Sequence, residues 1–408
     1  MNSYFDVKDK VYDITEKYPE VLDVLVQNGF EPLKNEMMRK TMGKTISLEM
    51  ALKSKKMNVD IVEKQLVEAI EQNRMFLIDS SLDAMPKSAA GDVRIEGVLP
   101  CPIRIPLVEH FESFLKEKQK ELDYTVGYDL KSANLGIDWI KERVQTGRED
   151  EVSEILMSAG FDLFFDRDLM GQFMEKDVFY VETGEINKDF CNEQVDLRDP
   201  KGRYAISGVV PAIWIINTEA LGDRKMPRTW ADILKPEFEN SVSLPLKDLD
   251  LFNALVIHIY KLFGDEGIRN LARSYQKSLH PSQMVKGKGS GEQAAPLISI
   301  TPYFFTQMLR ENGPMQAVWP EDGAIISPIF LLAKKAKQKQ VQPFVDYFRS
   351  KEVGEILSAG GKFPSTNPQV DNRLSEDQKF IWVGWDFIHS HDIGALIRHC
   401  ENLFHQSL

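Results

Sequence analysis

Cysteine is scarce in this sequence, and long apolar runs are absent. The three cysteines, Cys101, Cys191 and Cys400, cannot all pair with one another and share no C-x-x-C spacing, so neither a disulfide framework nor a zinc knuckle is predicted. No apolar run reaches the roughly 18 residues that a membrane-spanning helix needs, so no membrane insertion is predicted. The first residues are polar and contain neither the apolar segment of an export signal nor a cysteine for a lipid anchor. From these absences we expect a cytoplasmic protein.

Catalytic signatures are absent as well. The sequence has no G-x-S-x-G elbow and no H-E-x-x-H pair. The glycine-rich stretch at residues 286–291 is neither a Walker A sequence nor a G-x-G-x-x-G fingerprint, and a flexible loop is the better interpretation. We therefore predict a protein that is not an enzyme and that uses no cofactor.

An excess of acidic residues limits the partners. The 408 residues include 50 Lys and Arg against 62 Asp and Glu, which gives a formal net charge of -12 at pH 7. A general nucleic-acid binder needs clustered cations to neutralise phosphates, so no nucleic acid is predicted as a partner. The hydrophobic content of 43% is ordinary for globular proteins, and the length suits two or three domains.

Residues 1–73 have the pattern of a small helical domain. Val21, Leu22, Leu25 and Val26 share one helical face, and a second helical pattern runs to Ile70. The methionines at positions 37, 38 and 42 are interpreted as gap fillers of the core rather than as ligands of a soft metal. Residues 74–91, rich in small and turn-forming types, are predicted to be a linker.

The pairs Tyr18-Pro19 and Gly29-Phe30, with the stretch at 38–42, carry a resemblance. The segment is similar to a small domain of unknown function found near hybrid-cluster and iron–sulfur repair proteins. The resemblance implies no biochemical role, and we expect this module to report ligand occupancy or to contact a protein partner.

From residue 92 onward, strand patterns alternate with helix patterns. Strands are predicted at 93–99, 124–128 and 161–165, with a helix at 107–121 between the first two. Such alternation is typical of an α/β protein with a largely parallel sheet.

Three ordered motifs follow in this part of the chain. They are the apolar stretch at 204–217, the P-x-x-W-x-D pattern at 227–236, and the stretch at 320–333 with a lysine-rich helix after it. Together they resemble the extracellular solute-binding proteins of ABC transporters, in the ferric-ion-binding branch. The first and third look like the two segments by which that family crosses between its lobes.

The resemblance implies an α/β, two-lobed periplasmic-binding-protein-like (type 2) fold with an N-terminal all-helical domain. The first lobe would comprise residues 92–205 and 328–408, and the second lobe residues 206–327. The implied function is a non-enzymatic solute-binding protein that closes on a small ligand in the interlobe cleft. Because no export signal is predicted, we expect it to act as a cytoplasmic sensor or carrier.

Candidate ligand-binding residues follow from the rule that open α/β sheets bind ligands beyond the carboxyl ends of their strands, where helix N-termini favour anions. The loops expected at those ends contain basic and hydroxyl side chains, so an anionic small-molecule ligand is predicted. The set is Pro102, Arg104, Lys131, Ser132 and Asp166 in the first lobe, and Lys247, Thr301 and Tyr303 in the second.

Metal binding is the alternative. Ferric-ion binders of the resembled family use two adjacent tyrosines where this chain has Tyr303 followed by Phe304 and Phe305, so one phenolate ligand is missing. The C-terminal group of His389, His391, His399, Cys400 and His405 could hold zinc, although its apolar neighbours favour a packing helix. We predict no metal ligands, and keep an iron- or other metal-binding protein linked to iron transport or iron–sulfur metabolism as the second hypothesis. An enzyme on the same two-lobed scaffold, as in porphobilinogen deaminase, is the third.

Overall fold

The protein forms two compact units, residues 1–86 and 87–408. The structure is a computed structural model that describes residues 4–19, 21–27, 30–55, 57, 59, 62, 63, 66, 67, 70, 90–133, 136–246, 249–278, 296–309, 313–360 and 362–408. None of the helices in these ranges combines the length and the apolar character that crossing a membrane requires.

The first unit is built from short helices, as predicted. They are α1 (Val11–Lys17), α2 (Val21–Gln27), a 3-10 turn (Glu31–Lys34), α3 (Glu36–Met38), a π turn (Arg39–Gly43) and α4 (Leu48–Ser54). Ser47 caps α4 by accepting a hydrogen bond from the backbone N–H of Met50 at 3.3 Å. Aliphatic side chains such as Val21, Leu25 and Leu52 fill the core. Most of the predicted linker lies outside the described residues.

Three methionines of this unit are not in its core. Met37, Met38 and Met42 are all exposed, which corrects the interpretation of these side chains as core fillers. The described core positions are occupied mainly by branched aliphatic residues instead.

The described residues of the second unit are organised around one mixed sheet of ten strands. In spatial order they run β2, β1, β3, β9, β4, β7, β5, β6, with β10 paired to β9 and β8 to β4. The strands are β1 (Val93–Leu99), β2 (Val126–Ser132), β3 (Ile155–Ala159), β4 (Ala205–Asn217), β5 (Val242–Leu244), β6 (Tyr275–Ser278), β7 (Ile298–Pro302), β8 (Met315–Val318), β9 (Ala324–Ala333) and β10 (Phe380–Ile381).

Helices cover this sheet. They are α5 (Cys101–Lys118), α6 (Asp138–Gln145), α7 (Arg167–Glu175), α8 (Thr218–Leu221), α9 (Trp230–Ile233), α10 (Leu249–Ser274), α11 (Gln338–Phe348), α12 (Lys351–Glu355), α13 (Trp385–Ser390) and α14 (Ile393–Gln406). Gly264 has a non-helical backbone and interrupts α10. The predicted strand at 161–165 is instead the irregular segment between β3 and α7.

Two long strands connect the lobes. β4 and β9 are antiparallel, from the pair Ala205 and Leu331 to the pair Ala212 and Ile325. On its other edge β9 pairs with β3 of the first lobe, whereas β4 pairs with β7 of the second. Every residue of both strands is buried, which explains their nearly continuous apolar sequences. The expected two-lobed α/β architecture is confirmed.

The P-x-x-W-x-D pattern fixes the turn that leads into β9. The buried Trp230 indole donates to the carbonyl of Gly323 at 2.9 Å, and the Trp230 backbone N–H donates to Asp322 at 3.0 Å. Asp232 closes a capping box with Thr229 at the start of α9. The pattern therefore joins the second lobe to the return crossing.

The segment after β9 contacts elements of both lobes. α11 packs on β9, and the π turn Ile356–Gly360 packs on α5 of the first lobe. α14 lies against α7 of the first lobe and against α10 of the second. The boundaries 92–205, 206–327 and 328–408 stay a prediction.

Candidate functional site

The carboxyl ends of strands from the two lobes face each other. Gly160, directly after β3, is close to Asp250 at the start of α10: a Cβ added to Gly160 would lie 2.7 Å from the Asp250 Oδ1 atom. Gly160 has a φ of +88°, and its N–H donates to the carbonyl of Pro328 in β9 at 3.2 Å. β1 lies beside β3, and β7 lies beside β5, the strand that precedes α10. The ends of these four strands therefore line the boundary between the lobes.

Aromatic side chains seal one part of this boundary. Phe161 contacts Trp382, with ring centroids 5.9 Å apart, and His258 of α10 at 6.3 Å. His258 is buried, and its Nδ1 atom lies 2.6 Å from the carbonyl oxygen of Ala254. Burial lowers the pKa of His258 to about 4, so the ring is neutral at pH 7.

A row of buried hydroxyl groups lies on the second-lobe side. Ser243 of β5 pairs in register with Ser299 of β7, and Thr301 follows two residues later on the same face. All three are fully buried. Within the described part of the chain, none of their hydroxyls has a hydrogen-bond partner, nor does the Oδ1 atom of Asn253 on α10. Because buried polar groups are normally satisfied, these hydroxyls are candidates for hydrogen bonds to polar ligand atoms.

A lysine crosses from the return segment to the second lobe. The ammonium of Lys362 donates to the hydroxyl of Thr306 at 3.0 Å and lies 4.6 Å from the ring centroid of Tyr303. Tyr303 also meets Trp319 edge-on, at 5.1 Å. No carboxylate of the described residues lies within 4.0 Å of the Lys362 ammonium. Within the described part of the chain, the positive charge of Lys362 therefore has no ion-pair partner.

Lys362 was not among the predicted site residues. It follows two glycines and has a φ of +48°, so it sits in a tight turn that no binding motif marks. The neighbouring Phe363 stacks on Phe304 with the rings nearly parallel, which holds this turn against the second lobe. The two glycines before Lys362 were the only feature of the sequence here that could have indicated such a turn.

Thr301 and Tyr303 are close together at the carboxyl end of one second-lobe strand, and their role in ligand binding stays a prediction. Thr301 is inside β7 rather than in a loop, and Tyr303 begins the 3-10 segment Tyr303–Met308. Lys247 lies outside the described residues.

The first-lobe candidates are in regular structure rather than in loops. Pro102 and Arg104 belong to the first turn of α5, which begins directly after β1. Arg104 is only 1% exposed, and its Nε atom donates to the carbonyl of Leu130 at 2.8 Å. The expected loop is a helix because proline in a first turn removes an N–H that has no helical partner anyway.

Lys131 and Ser132 are in β2, which extends past its predicted end. Ser132 is buried. Lys131 forms an ion pair with Asp129 at 3.3 Å and lies 4.0 Å from the ring centroid of Trp139. These partners already compensate the Lys131 charge, so its role in ligand binding stays a prediction.

Asp166 forms an ion pair with the C-terminal helix α14. Its carboxylate caps α7 by accepting from the Asp168 N–H at 2.9 Å, and it forms an ion pair with Arg398 of α14 at 2.5 Å. Gly394 allows the close approach, because a Cβ there would lie 2.5 Å from the Asp166 carboxyl carbon. These contacts give Asp166 a structural role, and a role in binding stays a prediction.

The C-terminal histidines have separate partners. His389 pairs with Asp199 at 3.3 Å, His399 pairs with Asp265 at 2.9 Å, and His391 stacks on Phe387 at 4.0 Å. Burial raises the pKa of the Cys400 thiol to about 12. In the described ranges, no group of three or more His, Cys, Asp or Glu is arranged to hold a metal ion.

Comparisons with known proteins identify the family of this chain. A family model for bacterial extracellular solute-binding proteins matches residues 150–391, more than half of the chain. The chain belongs to this family. A model for a domain of unknown function (DUF1858) matches residues 5–62.

One curated relative is the spermidine/putrescine-binding periplasmic protein 1 of Haemophilus influenzae. It is 22% identical over 240 residues, which cover 54% of this chain and 65% of the relative. The chain thus spans slightly less than two thirds of the length of this relative.

Solved structures share the fold. A ferric binding protein from Campylobacter jejuni has a TM-score of 0.54 at 12% identity, over 78% of this chain and 99% of that one. A Trichodesmium protein in complex with iron and citrate has a TM-score of 0.53 at 11% identity, over 77% and 98%. An ABC transporter protein from Clostridium perfringens has a TM-score of 0.51 at 17% identity, over 77% and 99%.

These findings confirm the predicted family and the prediction of a solute-binding protein that is not an enzyme. They contradict the expected cytoplasmic location, because the family is extracellular and the curated relative is periplasmic. That expectation rested on the polar first residues and on the cysteine content, and neither property determines the compartment.

Proposed function

We propose that this solute-binding protein closes on a small organic anion between its two lobes. The observation that carries the proposal is the Lys362 ammonium, which reaches from the return segment to Tyr303 and Thr306 of the second lobe. It has no carboxylate partner among the described residues. A charge-assisted hydrogen bond to a partly desolvated anion contributes about 1.5–3 kcal/mol, which is enough to select for charge.

Neutral polar groups of the second lobe are the other part of the proposed site. Thr301 lies in β7, two residues before Tyr303, and its buried hydroxyl belongs to the row with Ser299 and Ser243 that has no hydrogen-bond partner among the described residues. The row supplies hydrogen bonds without charge, whereas Lys362 supplies the charge. A small anion with additional hydroxyl or carboxyl oxygens fits such a combination.

Two other ligand classes come from the names of similar proteins. A polyamine, as in the name of the Haemophilus relative, needs carboxylates or open aromatic faces, but an ammonium already covers the Tyr303 ring. Ferric ion needs several anionic oxygen ligands, and the same ammonium would repel it from Tyr303. The second candidate function is therefore the binding of ferric ion together with an organic anion.

The test uses freshly purified, untagged full chain. Native mass spectrometry reports any ligand that co-purifies, and thermal unfolding is then measured with citrate and other carboxylates, phosphonates, sulfate, putrescine, spermidine, ferric ion and ferric citrate. At about a hundredfold excess over Kd, a ligand stabilises the folded state by about 2.7 kcal/mol. We expect an organic anion to raise the unfolding temperature. Stabilisation by polyamines alone, or by ferric ion without an anion, would refute the proposal.

A further inference from the structure

The N-terminal unit exposes methionine. Met37 is 74% exposed, Met42 53% and Met38 37%, which is unusual for large apolar side chains in one short segment. Met38 and Met42 are four residues apart, about one helical turn, so both lie on one side of the segment. A π turn at Arg39–Gly43 lies within this stretch, and such turns often occur at functional sites.

The opposite side of this segment already packs on its own unit. Gly43 is buried, and a Cβ added there would lie 3.2 Å from the backbone nitrogen of Tyr12 in α1. The core beneath is filled by aliphatic side chains, including Val11, Ile14 and Leu48. The three methionines are therefore not members of the core of the unit.

Basic residues accompany the methionines. Between positions 31 and 57 the sequence has seven Lys and Arg against three Glu, although the whole chain carries a net charge of -12. Lys40 and Lys44 are exposed within the methionine segment, and the Lys44 ammonium lies 4.6 Å from the ring centroid of Tyr12. The segment thus combines flexible apolar side chains with a local excess of positive charge.

We propose that Met37, Met38 and Met42, with Lys40 and Lys44, form a docking surface for an acidic amphipathic helix of a partner protein. The term "methionine surface" is used below for these five residues. Unbranched, polarisable side chains adapt to the apolar face of a helix, and the lysines attract acidic side chains at its margins. The inference is independent of the ligand bound between the lobes.

The charges decide against a soft metal ion as the occupant. Three thioethers could ligate a soft cation, but they supply no negative charge, and the nearby lysines would repel it. The same lysines also disfavour a second copy of this surface, because like charges would face each other in a symmetric contact.

The experiment selects helical peptides from a phage-displayed library on the immobilised full chain. Affinities of the enriched peptides are then measured by fluorescence anisotropy at two salt concentrations. We expect enrichment of acidic sequences with apolar residues at i, i+3, i+4 and i+7, and weaker binding at higher salt. No enrichment, or enrichment of basic or uncharged sequences, would overturn the proposal.

Matched variants locate the contact. The triple variant Met37→Gln, Met38→Gln, Met42→Gln changes only exposed side chains and should lower peptide affinity about tenfold or more. Met50→Gln changes a methionine of the same unit that is 62% exposed but lies outside the surface, and it should bind like the parent. The double variant Lys40→Glu, Lys44→Glu should lose affinity and its salt dependence.

Equal binding by the triple variant and the parent would also overturn the proposal. Two further measurements address the other occupants. Binding of Ag⁺ that is lost in the triple variant, without any peptide binding, would assign the surface to a soft metal. Concentration-dependent dimerisation that is lost in the triple variant, again without peptide binding, would assign it to a second copy.

Discussion

Gly160 of the first lobe lies directly against Asp250 of the second. No side chain fits between them, since a Cβ on Gly160 would lie 2.7 Å from the Asp250 Oδ1 atom and 3.1 Å from its Cα atom. The contact is made where β3 ends and α10 begins, at the boundary that the proposed ligand must occupy. The closeness of the two lobes at this point therefore depends on a glycine.

The Gly160→Ala variant should be destabilised and more open. The alanine must adopt a φ of +88° and also displace the backbone of Asp250, so we expect a loss of more than about 2 kcal/mol. Gly184→Ala is the control, because Gly184 has a φ of +59° but no atom within 4 Å of its added Cβ. It should lose only about 1 kcal/mol. Urea unfolding measures both losses, and small-angle scattering should show a larger radius of gyration for Gly160→Ala alone; equal behaviour of the two would contradict the role of this contact.

His258 should make the protein sensitive to mild acid. Its pKa is lowered to about 4 in the folded state, below the usual 6.5, so between these values the unfolded chain binds a proton that the folded chain does not. Stability should therefore fall as the pH drops from about 6.5 towards about 4, by at most about 1.4 kcal/mol per pH unit from this group.

The His258→Phe variant should lose less stability over that pH range than the parent. His391→Phe is the control, because His391 is exposed, and its stability should change with pH as that of the parent does. Urea unfolding at a series of pH values measures the difference. Parallel pH profiles for the parent and His258→Phe would show that His258 is not the sensitive group.

A buried ion cluster should stabilise the first lobe. Glu154 accepts from Lys334 at 2.9 Å and from the Nε atom of Arg94 at 3.0 Å. Removing one partner of a buried carboxylate costs about 3 kcal/mol or more, so Lys334→Met should unfold at a clearly lower urea concentration. Lys335→Met is the control, because its pair with Asp177 is at the surface and should contribute less than about 1 kcal/mol. Similar losses for the two variants would contradict this account of the cluster.

The same cluster predicts a second, more acidic transition. Burial alone would raise the pKa of Glu154, but hydrogen bonds from Arg94 and Lys334 outweigh it and lower the pKa. The contribution of Glu154 is therefore present above the unfolded-state value of about 4.5 and is lost as the pH falls below it. Glu154→Gln should flatten the stability profile below pH 4.5 without changing the range assigned to His258. A profile below pH 4.5 as steep as that of the parent would refute this.

The crossing strands were predictable because their burial leaves a strong sequence pattern. The predicted stretch 204–217 exceeds β4 by one residue, and the predicted stretch 320–333 contains β9 and ends with it, since both strands are buried on both faces and form continuous apolar runs in the sequence. The loop that was predicted after β1 is wrong. Residues 101–106 belong to α5, because Pro102 fits the first turn of this helix, where no N–H donor is needed.

The site was less predictable, because contacts between distant segments leave no periodic pattern. Lys362 and Tyr303 are 59 positions apart in the sequence numbering, and only the fold brings an ammonium from the return segment over that ring. The exposure of Met37 could not be predicted from the sequence for a related reason. An apolar residue type reports what a side chain can bury, and does not report whether a neighbour covers it.

The most direct test of an anion held between the lobes is the affinity of the identified ligand for Lys362→Met, measured by isothermal titration calorimetry beside the parent. Lys351→Met is the control, since Lys351 is on the surface and pairs with Glu355 at 3.4 Å. If Lys362 binds the anion, its loss should weaken binding by roughly ten- to a hundredfold, while Lys351→Met binds like the parent. Unchanged affinity in Lys362→Met, or tighter binding of a cation to it, would contradict the central claim.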